Sequence, residues 1–272
     1  MIGRSSWGYR VSFAIACLVL FFLLAPIVIV APVSLTPERY LSLPATGISF
    51  RHYAAIWSND IWLESLRRSL TVAVITTILA LMIGVSYAIA SWRLGPPWSG
   101  PLIGLALLPL VVPTIVNGVA FFRAWIALDL IDSYPGVILA HTITSIPYVV
   151  IGSSVALANM DRRLEQAARS LGASVWRTAR SVIVPNIMPG IISGGIFAFI
   201  HSWDELVVLL FITGRRVYLL PRAIWDGIND NVDPTIAAIA TILVIVTTAA
   251  LLWDYWRSRR HVADGSGAEN AR

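Results

Sequence analysis

The sequence predicts an all-α integral membrane protein with six transmembrane helices. Of its 272 residues, 57% are hydrophobic and only 13% are charged, a composition outside the range of soluble globular domains. Six apolar runs also reach the about 20 residues that an α-helix needs to cross a hydrocarbon core about 30 Å thick. These runs cover residues 11–33, 69–90, 102–122, 135–157, 189–212 and 235–256. We expect them to form one membrane domain over residues 11–256.

The first apolar run follows Arg4 and Arg10, so a cleaved signal peptide is an alternative interpretation of the N-terminal region. The run is longer than the about 7–15 apolar residues of a signal peptide, and a second span follows it. These two features favour an uncleaved first span.

The arginines predict how the spans are oriented. All 20 basic residues are arginine, and six spans place both termini on the same side of the membrane. That side carries 12 arginines and the other side carries 8. The positive-inside rule therefore predicts that residues 1–10, the loop 158–188 and residues 257–272 are cytoplasmic. The last of these segments is polar and contains glycine, so we expect it to be disordered.

The absence of lysine excludes several functions. A Walker phosphate-binding loop needs a lysine on the phosphates, and Schiff-base catalysis needs a lysine amine. The arginines flank apolar runs and form no basic patch interleaved with aromatic residues, which argues against nucleic-acid binding. No metal-ligand cluster or nucleophile–base arrangement is apparent either. We expect a chain that is not an enzyme and that binds no cofactor or metal of its own.

The loop 158–188 is predicted to fold into two short helices. Asp161 and Ser174 are suitable caps for their first turns, Gly172 ends the first helix, and Pro185 is expected to end the second. Apolar residues recur on one side of the first helix at helical spacing. They are Leu164, Ala167, Ala168 and Leu171. Such a hairpin either lies on the lipid headgroups or docks onto another protein.

The spacing within this loop matches a known motif. The residues concerned are Glu165, Gln166, Ala167, Ala168, Gly172, Val182, Val184 and Pro185. The segment resembles the EAA loop of ABC-importer permeases, in which Glu-Ala-Ala-x-x-x-Gly is followed by Ile-x-Leu-Pro. Gln166 stands at the family's glutamate position, with Glu165 one place earlier, and valines replace the Ile and Leu. The resemblance implies that the loop couples this chain to a cytoplasmic ATPase.

The resemblance extends over about the whole chain. The fifth predicted span contains Ser202-Trp203-Asp204-Glu205-Leu206, which is similar to Ser-Phe-Asp-Glu-Phe in permeases of the spermidine/putrescine group. This implies the MetI-like architecture of type I importer permeases in a bacterial inner membrane. It also implies three partners: an ATPase dimer that uses ATP and Mg²⁺, a second homologous permease, and an extracytoplasmic substrate-binding protein.

The fifth predicted span also supplies candidate pathway residues. His201, Asp204 and Glu205 have spacings of three and four residues, which place both acids near the histidine on a helix. An acid inside a span should face protein or water, because exposing it to lipid costs several kcal/mol. Together with Trp203 these acids suit a cationic solute. A structural ion pair of either acid with His201 or Arg123 is an equally supported alternative.

Two further polar residues lie in predicted spans. Asn117 follows Pro113 by one helical turn, where its amide would satisfy carbonyl groups released by a proline kink, and it is also a weaker candidate for the pathway. His141 is expected to form a hydrogen bond between helices.

We therefore expect a permease subunit that forms half of a pathway for a small, polar, cationic solute. Polyamines are the leading candidates, and opines, other cationic amines and aminophosphonates are alternatives. A stand-alone secondary transporter or channel using the acids of the fifth span is the competing class of function. A membrane enzyme that uses His141 or His201 with Asp204 is less well supported, since no second catalytic group is placed by spacing.

Overall fold

The computed structural model describes residues 6–230 and 233–249. Within these ranges the chain is helical and contains no strand, which confirms the predicted all-α class. The end of the sixth predicted span, 250–256, and the predicted tail 257–272 lie outside the described residues, as do residues 1–5.

The helices begin with α1 (Ser6–Val33), α2 (Arg51–Ser58), α3 (Asp60–Leu94), α4 (Ser99–Val111), α5 (Thr114–Leu128) and α6 (Tyr134–Ala158). They continue with α7 (Arg162–Ser170), α8 (Val175–Thr178), a π-helical turn (Ala179–Ile183), α9 (Val184–Asn186), α10 (Met188–Asp204), α11 (Val207–Ile212), α12 (Leu220–Asp230) and α13 (Thr235–Ala249). Among the described residues, α1, α3 and α6 are each long and apolar enough to span a membrane. Two strongly bent pairs of helices raise that number to five if each pair is one span.

The third predicted span is not one helix. Helices α4 and α5 meet at an angle of 94° around Val112 and Pro113. Proline lacks an N–H and drives the preceding residue into extended backbone, and Val112 indeed has φ −72° and ψ 130°. The side chain of Asn117 donates to the carbonyl oxygens of Pro109 (3.0 Å) and Val112 (3.4 Å), which is the role predicted for an amide beside a proline kink.

The fifth predicted span also contains two helices rather than one. Helix α10 stops at Asp204, and Glu205 has extended backbone with φ −72° and ψ 100°. The Oε1 atom of Glu205 accepts a hydrogen bond from the N–H of Val208 at 2.9 Å. The glutamate therefore caps a separate helix, α11, within the fifth predicted span, 189–212.

The described residues divide into two compact units, one of residues 64–223 and one of the described residues up to 63 and from 224 onward. In the first unit α6 packs closely on α10, because glycines lie at the contact. A Cβ atom on Gly152 would lie 2.6 Å from the carbonyl oxygen of Gly190, a distance that real side chains do not adopt. The same two helices are joined by a buried hydrogen bond, since Nδ1 of His141 lies 3.0 Å from Oγ of Ser202. This confirms the predicted interhelical role of His141.

Two apolar clusters occupy opposite ends of this unit. One joins α3, α5, α6 and α11 around Val72, Trp125 and Leu209. The other joins α3, α6 and the π-helical turn around Ile89, Leu157 and Ile183. Helix α3 has 35 residues, about 52 Å at 1.5 Å per residue, and so connects the two clusters.

The other unit contains α1, α2 and α13. The segment between α1 and α2 is held by polar contacts: Nη1 of Arg51 donates to the Pro37 carbonyl at 2.9 Å, and Nε2 of His52 lies 2.9 Å from the Glu38 carbonyl. Large apolar side chains along α1 are exposed, for example Phe21 and Phe22. This exposure suits a helix surrounded by lipid.

Candidate functional site

The loop between α6 and α10 folds as two capped helices. Oδ1 of Asp161 accepts a hydrogen bond from the N–H of Arg163 (2.8 Å), and Oγ of Ser174 accepts one from the N–H of Arg177 (3.2 Å). Between the helices, Gly172 has φ +83°, in the left-handed region that glycine tolerates best. The structure thus contains the predicted caps and the predicted glycine turn.

Pro185 does not end the second helix of this loop. It lies inside the helical segment Val175–Asn186, just after a π-helical turn. The chain reaches it through the π-helical turn Ala179–Ile183, in which the N–H of Val184 donates to the Ala179 carbonyl. The break comes at Ile187, with φ −97° and ψ 7°, and the chain turns there by 77° into α10.

Glu165 faces the interior of the fold. Its Oε1 atom lies 2.8 Å from Nε of Arg93, near the end of α3, and the two side chains are only 14% and 23% exposed. Nη2 of the same arginine donates to the Val175 carbonyl at 3.3 Å. Gln166 and Ala167, in contrast, are exposed, and Ala168 is half-buried. The two neighbouring polar residues of the motif therefore point to different surroundings.

The residue before Arg93 makes a second attachment. The guanidinium of Arg162 lies 4.8 Å from the ring centroid of Trp92, and its Nη2 donates to the Trp92 carbonyl at 3.0 Å. The loop is thereby joined to the end of α3 at the start of α7, in the middle of α7 and at the start of α8.

The outward side of the loop, which we call the docking face, is apolar with a basic rim. Leu171 is 89% exposed and Trp176 is 75% exposed, and Leu164 and Val175 are also exposed. The rim consists of the exposed arginines Arg163, Arg169, Arg177 and Arg180. Exposed apolar side chains with a polar rim are typical of surfaces that bind another protein.

A cavity of about 390 Å³ lies at the C-terminal end of α10. It is lined by Thr114, Tyr148, Phe197, Ile200, His201, Asp204 and Glu205. Glu205 is 6% exposed, caps α11, and places Oε2 3.7 Å from Nε2 of His201. Asp204 is exposed in the cavity. The two acids, which the sequence presents as equivalent, have different surroundings.

The other predicted pathway residues do not line this cavity. Trp203 stacks on Phe199, with 6.0 Å between ring centroids, and Asn117 is bonded to backbone carbonyls. Four lining residues were not predicted, namely Thr114, Tyr148, Phe197 and Ile200, and the first two carry hydroxyl groups. Thr114 directly follows Pro113, and the Tyr148 ring contacts His201 at 5.0 Å between centroids. Hydroxyl-bearing residues beside prolines in apolar segments are the only sequence signal that indicates them.

Residues 80–261 match the family described as "Binding-protein-dependent transport system inner membrane component". The chain belongs to this family. It is a membrane permease subunit of an ABC importer, a class whose members work with an ATPase and a substrate-binding protein.

Several relatives align with most of the permease. It is 28% identical over 240 residues to the spermidine/putrescine transport system permease protein PotC of Haemophilus influenzae, covering 88% of this chain and 93% of that protein. It is 30% identical to the putrescine transport system permease protein PotI of Escherichia coli K12, with 82% of each chain covered. It is also 30% identical to the trehalose transport system permease protein SugB of Mycobacterium tuberculosis, covering 90% and 92%.

The fold of the permease is that of a solved importer. A chain of a bacterial ABC transporter involved in the import of the acidic polysaccharide alginate superposes with a TM-score of 0.70 at 15% identity, covering 95% of this chain and 98% of that chain. The relatives include both polyamine and sugar permeases, so membership of the family leaves the solute to be argued from the site.

At the end of the permease opposite the docking face, Asp132 holds a loop through its carboxylate. Oδ1 accepts from the N–H groups of Gly214 (2.8 Å) and Val217 (3.0 Å), and Oδ2 accepts from those of Arg215 (3.1 Å) and Arg216 (3.0 Å). Burial acts to raise the pKa of Asp132, but the four hydrogen bonds outweigh it and lower the pKa. Nothing in the sequence distinguished this acid from others in loops.

Proposed function

We propose that this permease forms half of the translocation pathway for a small cationic solute of the polyamine type. The observation that carries the proposal is the exposed carboxylate of Asp204 in the cavity at the end of α10. Glu205 accepts a hydrogen bond from the N–H of Val208 and lies 3.7 Å from Nε2 of His201, whereas no hydrogen bond or ion pair engages Asp204 within the described residues.

An acid without a counter-charge in an apolar segment favours a positively charged ligand. The ring of Tyr148 and that of Phe197 line the same cavity, and aromatic faces attract ammonium groups. The volume of about 390 Å³ lies at the lower end of the about 300–1,000 Å³ typical of small-molecule sites. The names of the relatives PotC and PotI agree with a polyamine, while SugB makes a sugar the principal competitor.

We further propose that residues 161–185 couple the permease to a cytoplasmic ATPase dimer. The docking face supplies the contact: Gln166, Ala167 and Leu171 are exposed there, beside the turn at Gly172. The ATPase uses ATP and Mg²⁺, and a second homologous permease completes the pathway. Both termini then lie in the cytoplasm, and the substrate-binding protein docks on the outer side.

Uptake by the reconstituted importer tests the solute. The permease is co-expressed with its ATPase, sister permease and binding protein, and the complex is placed in proteoliposomes with ATP on the ATPase side. We expect saturable uptake of radiolabelled spermidine or putrescine that excess unlabelled polyamine blocks and excess trehalose does not. ATP-dependent uptake of trehalose without uptake of polyamines would overturn the proposal.

A further inference from the structure

We infer that Arg93 is a positioning residue that ties the loop of the docking face to α3, so that displacement of the loop is passed into that helix. The inference rests on the proposed docking of residues 161–185 onto an ATPase. It assigns a role in coupling to a residue outside the loop motif.

The contacts of Arg93 reach both helices of the loop. One edge of the guanidinium meets the Glu165 carboxylate in α7 at 2.8 Å, and Nη2 meets the Val175 carbonyl at the start of α8 at 3.3 Å. A charge-assisted hydrogen bond is stronger than a neutral one, and a largely covered pair is weakly screened by salt. The planar fork of arginine allows one side chain to hold two partners in fixed geometry.

Other contacts at the same end of α3 also attach the loop to that helix. Trp92 stacks on the Arg162 guanidinium and accepts its hydrogen bond. One turn earlier in α3, Ile89 packs in the apolar cluster that contains Ile183 and Ile187 from the end of the loop. The loop is therefore attached to the last two turns of α3 at its start, in the middle of α7, at the start of α8 and at its end.

The loop is joined covalently to α6 at its start. Two other routes lead from it into the rest of this unit, and they differ in stiffness. The covalent route passes through the π-helical turn and the 77° break at Ile187 before it reaches α10. A π-helical turn and a break are places where a helix bends. The route through Arg93 enters a continuous helix of 35 residues. Nearer the other end of that helix, Oγ of Ser69 accepts a hydrogen bond from the N–H of Leu220, the first residue of α12, at 2.7 Å.

Reconstituted importers carrying Arg93→Gln, Glu165→Gln, or the exchange Arg93→Glu with Glu165→Arg test the inference. Arg10→Gln, which removes an exposed arginine outside the docking face, is the matched control. The measurements are the ATPase retained by the purified permease, the rate of ATP hydrolysis, and the solute imported per ATP hydrolysed.

We expect both single variants to retain the ATPase and to import about fivefold less solute per ATP hydrolysed. An effect of about fivefold is at the lower end of those that one site typically has on another. The exchange should recover most of this loss, and the control should match the wild type. Arg93→Lys keeps the charge opposite Glu165 and should stay closer to the wild type than Arg93→Gln, which provides a milder variant if the latter is poorly inserted.

The inference is overturned if the single variants lower only protein yield or melting temperature and keep the wild-type ratio of solute to ATP. It is also overturned if the exchange performs no better than the single variants. Failure of the wild-type permease to retain any ATPase would instead refute the proposed docking, so the two failures are distinguishable.

Discussion

Replacing Asp204 by asparagine removes one negative charge from the cavity at the end of α10 with little change in shape. The side chain is exposed there and is not needed to cap a helix, a role that belongs to Glu205. The variant should therefore insert and assemble normally. Its effect should appear in the affinity for the solute.

The size of the effect follows from Coulomb's law. Two unit charges about 4 Å apart attract by about 1 kcal/mol in bulk water and by about 4 kcal/mol at an effective dielectric constant of about 20. Because Asp204 is exposed in an open cavity, we take a value near the lower limit, about 1–2 kcal/mol. This corresponds to a rise of about 5–30-fold in KM for a cationic solute.

The assay is the initial rate of radiolabelled spermidine uptake into proteoliposomes as a function of concentration. Asp129→Asn is the matched control, because it makes the same chemical change at an exposed loop residue away from the cavity, and asparagine tolerates its left-handed backbone (φ 54°). An unchanged KM in Asp204→Asn, at equal amounts of inserted complex, would refute the reasoning that this carboxylate meets the solute.

Three further predictions concern other parts of the molecule. Glu205→Ala should lower the thermal stability of the purified permease by about 1–3 kcal/mol, because the N–H of Val208 loses its acceptor, whereas Glu205→Gln should retain most of that stability; the reverse order would contradict the capping role. Gly172→Val should reduce solute import per ATP more than Gly172→Asn, since a β-branched residue is strained at φ +83° by about 1–2 kcal/mol or more, and equal losses would argue against the turn. The lowered pKa of Asp132 means that its contribution to stability is present above the ordinary carboxyl pKa of 3.8 and is lost as pH falls through the lowered value; Asp132→Asn should therefore flatten the acid side of the thermal-unfolding profile, and an unchanged profile would contradict this.

The sequence predicts best those features that local chemistry decides. The all-α class follows from the apolar runs, and the caps at Asp161 and Ser174 and the turn at Gly172 follow from residues that lie next to the helix ends they stabilise. Each of these features depends on a few neighbouring positions. Tertiary packing does not need to be known to predict them.

Features decided by distant parts of the chain were missed. Arg93 and Glu165 are 72 positions apart, and no periodicity relates them. Hydropathy alone also presents residues 102–122 as one continuous span. Whether Pro113 kinks or breaks a helix depends on the hydrogen-bond donors available to the carbonyl groups that it leaves without an N–H partner. At Glu205 the side chain favours a new helix start over continuation of α10, because its carboxylate can cap α11. The motif that contains Glu205 identifies the residue in the sequence but does not reveal that its side chain caps a helix.

Uptake in sealed proteoliposomes, measured with and without the ATPase, tests the central claim most directly. The claim is that this chain is an importer permease driven through the docking face rather than a transporter that works alone. We predict that the complete importer accumulates spermidine only when ATP is supplied, and that the permease pair without the ATPase accumulates none under an imposed ion gradient. Accumulation that persists without the ATPase would contradict the claim and would favour a secondary transporter that uses the acids at the end of α10.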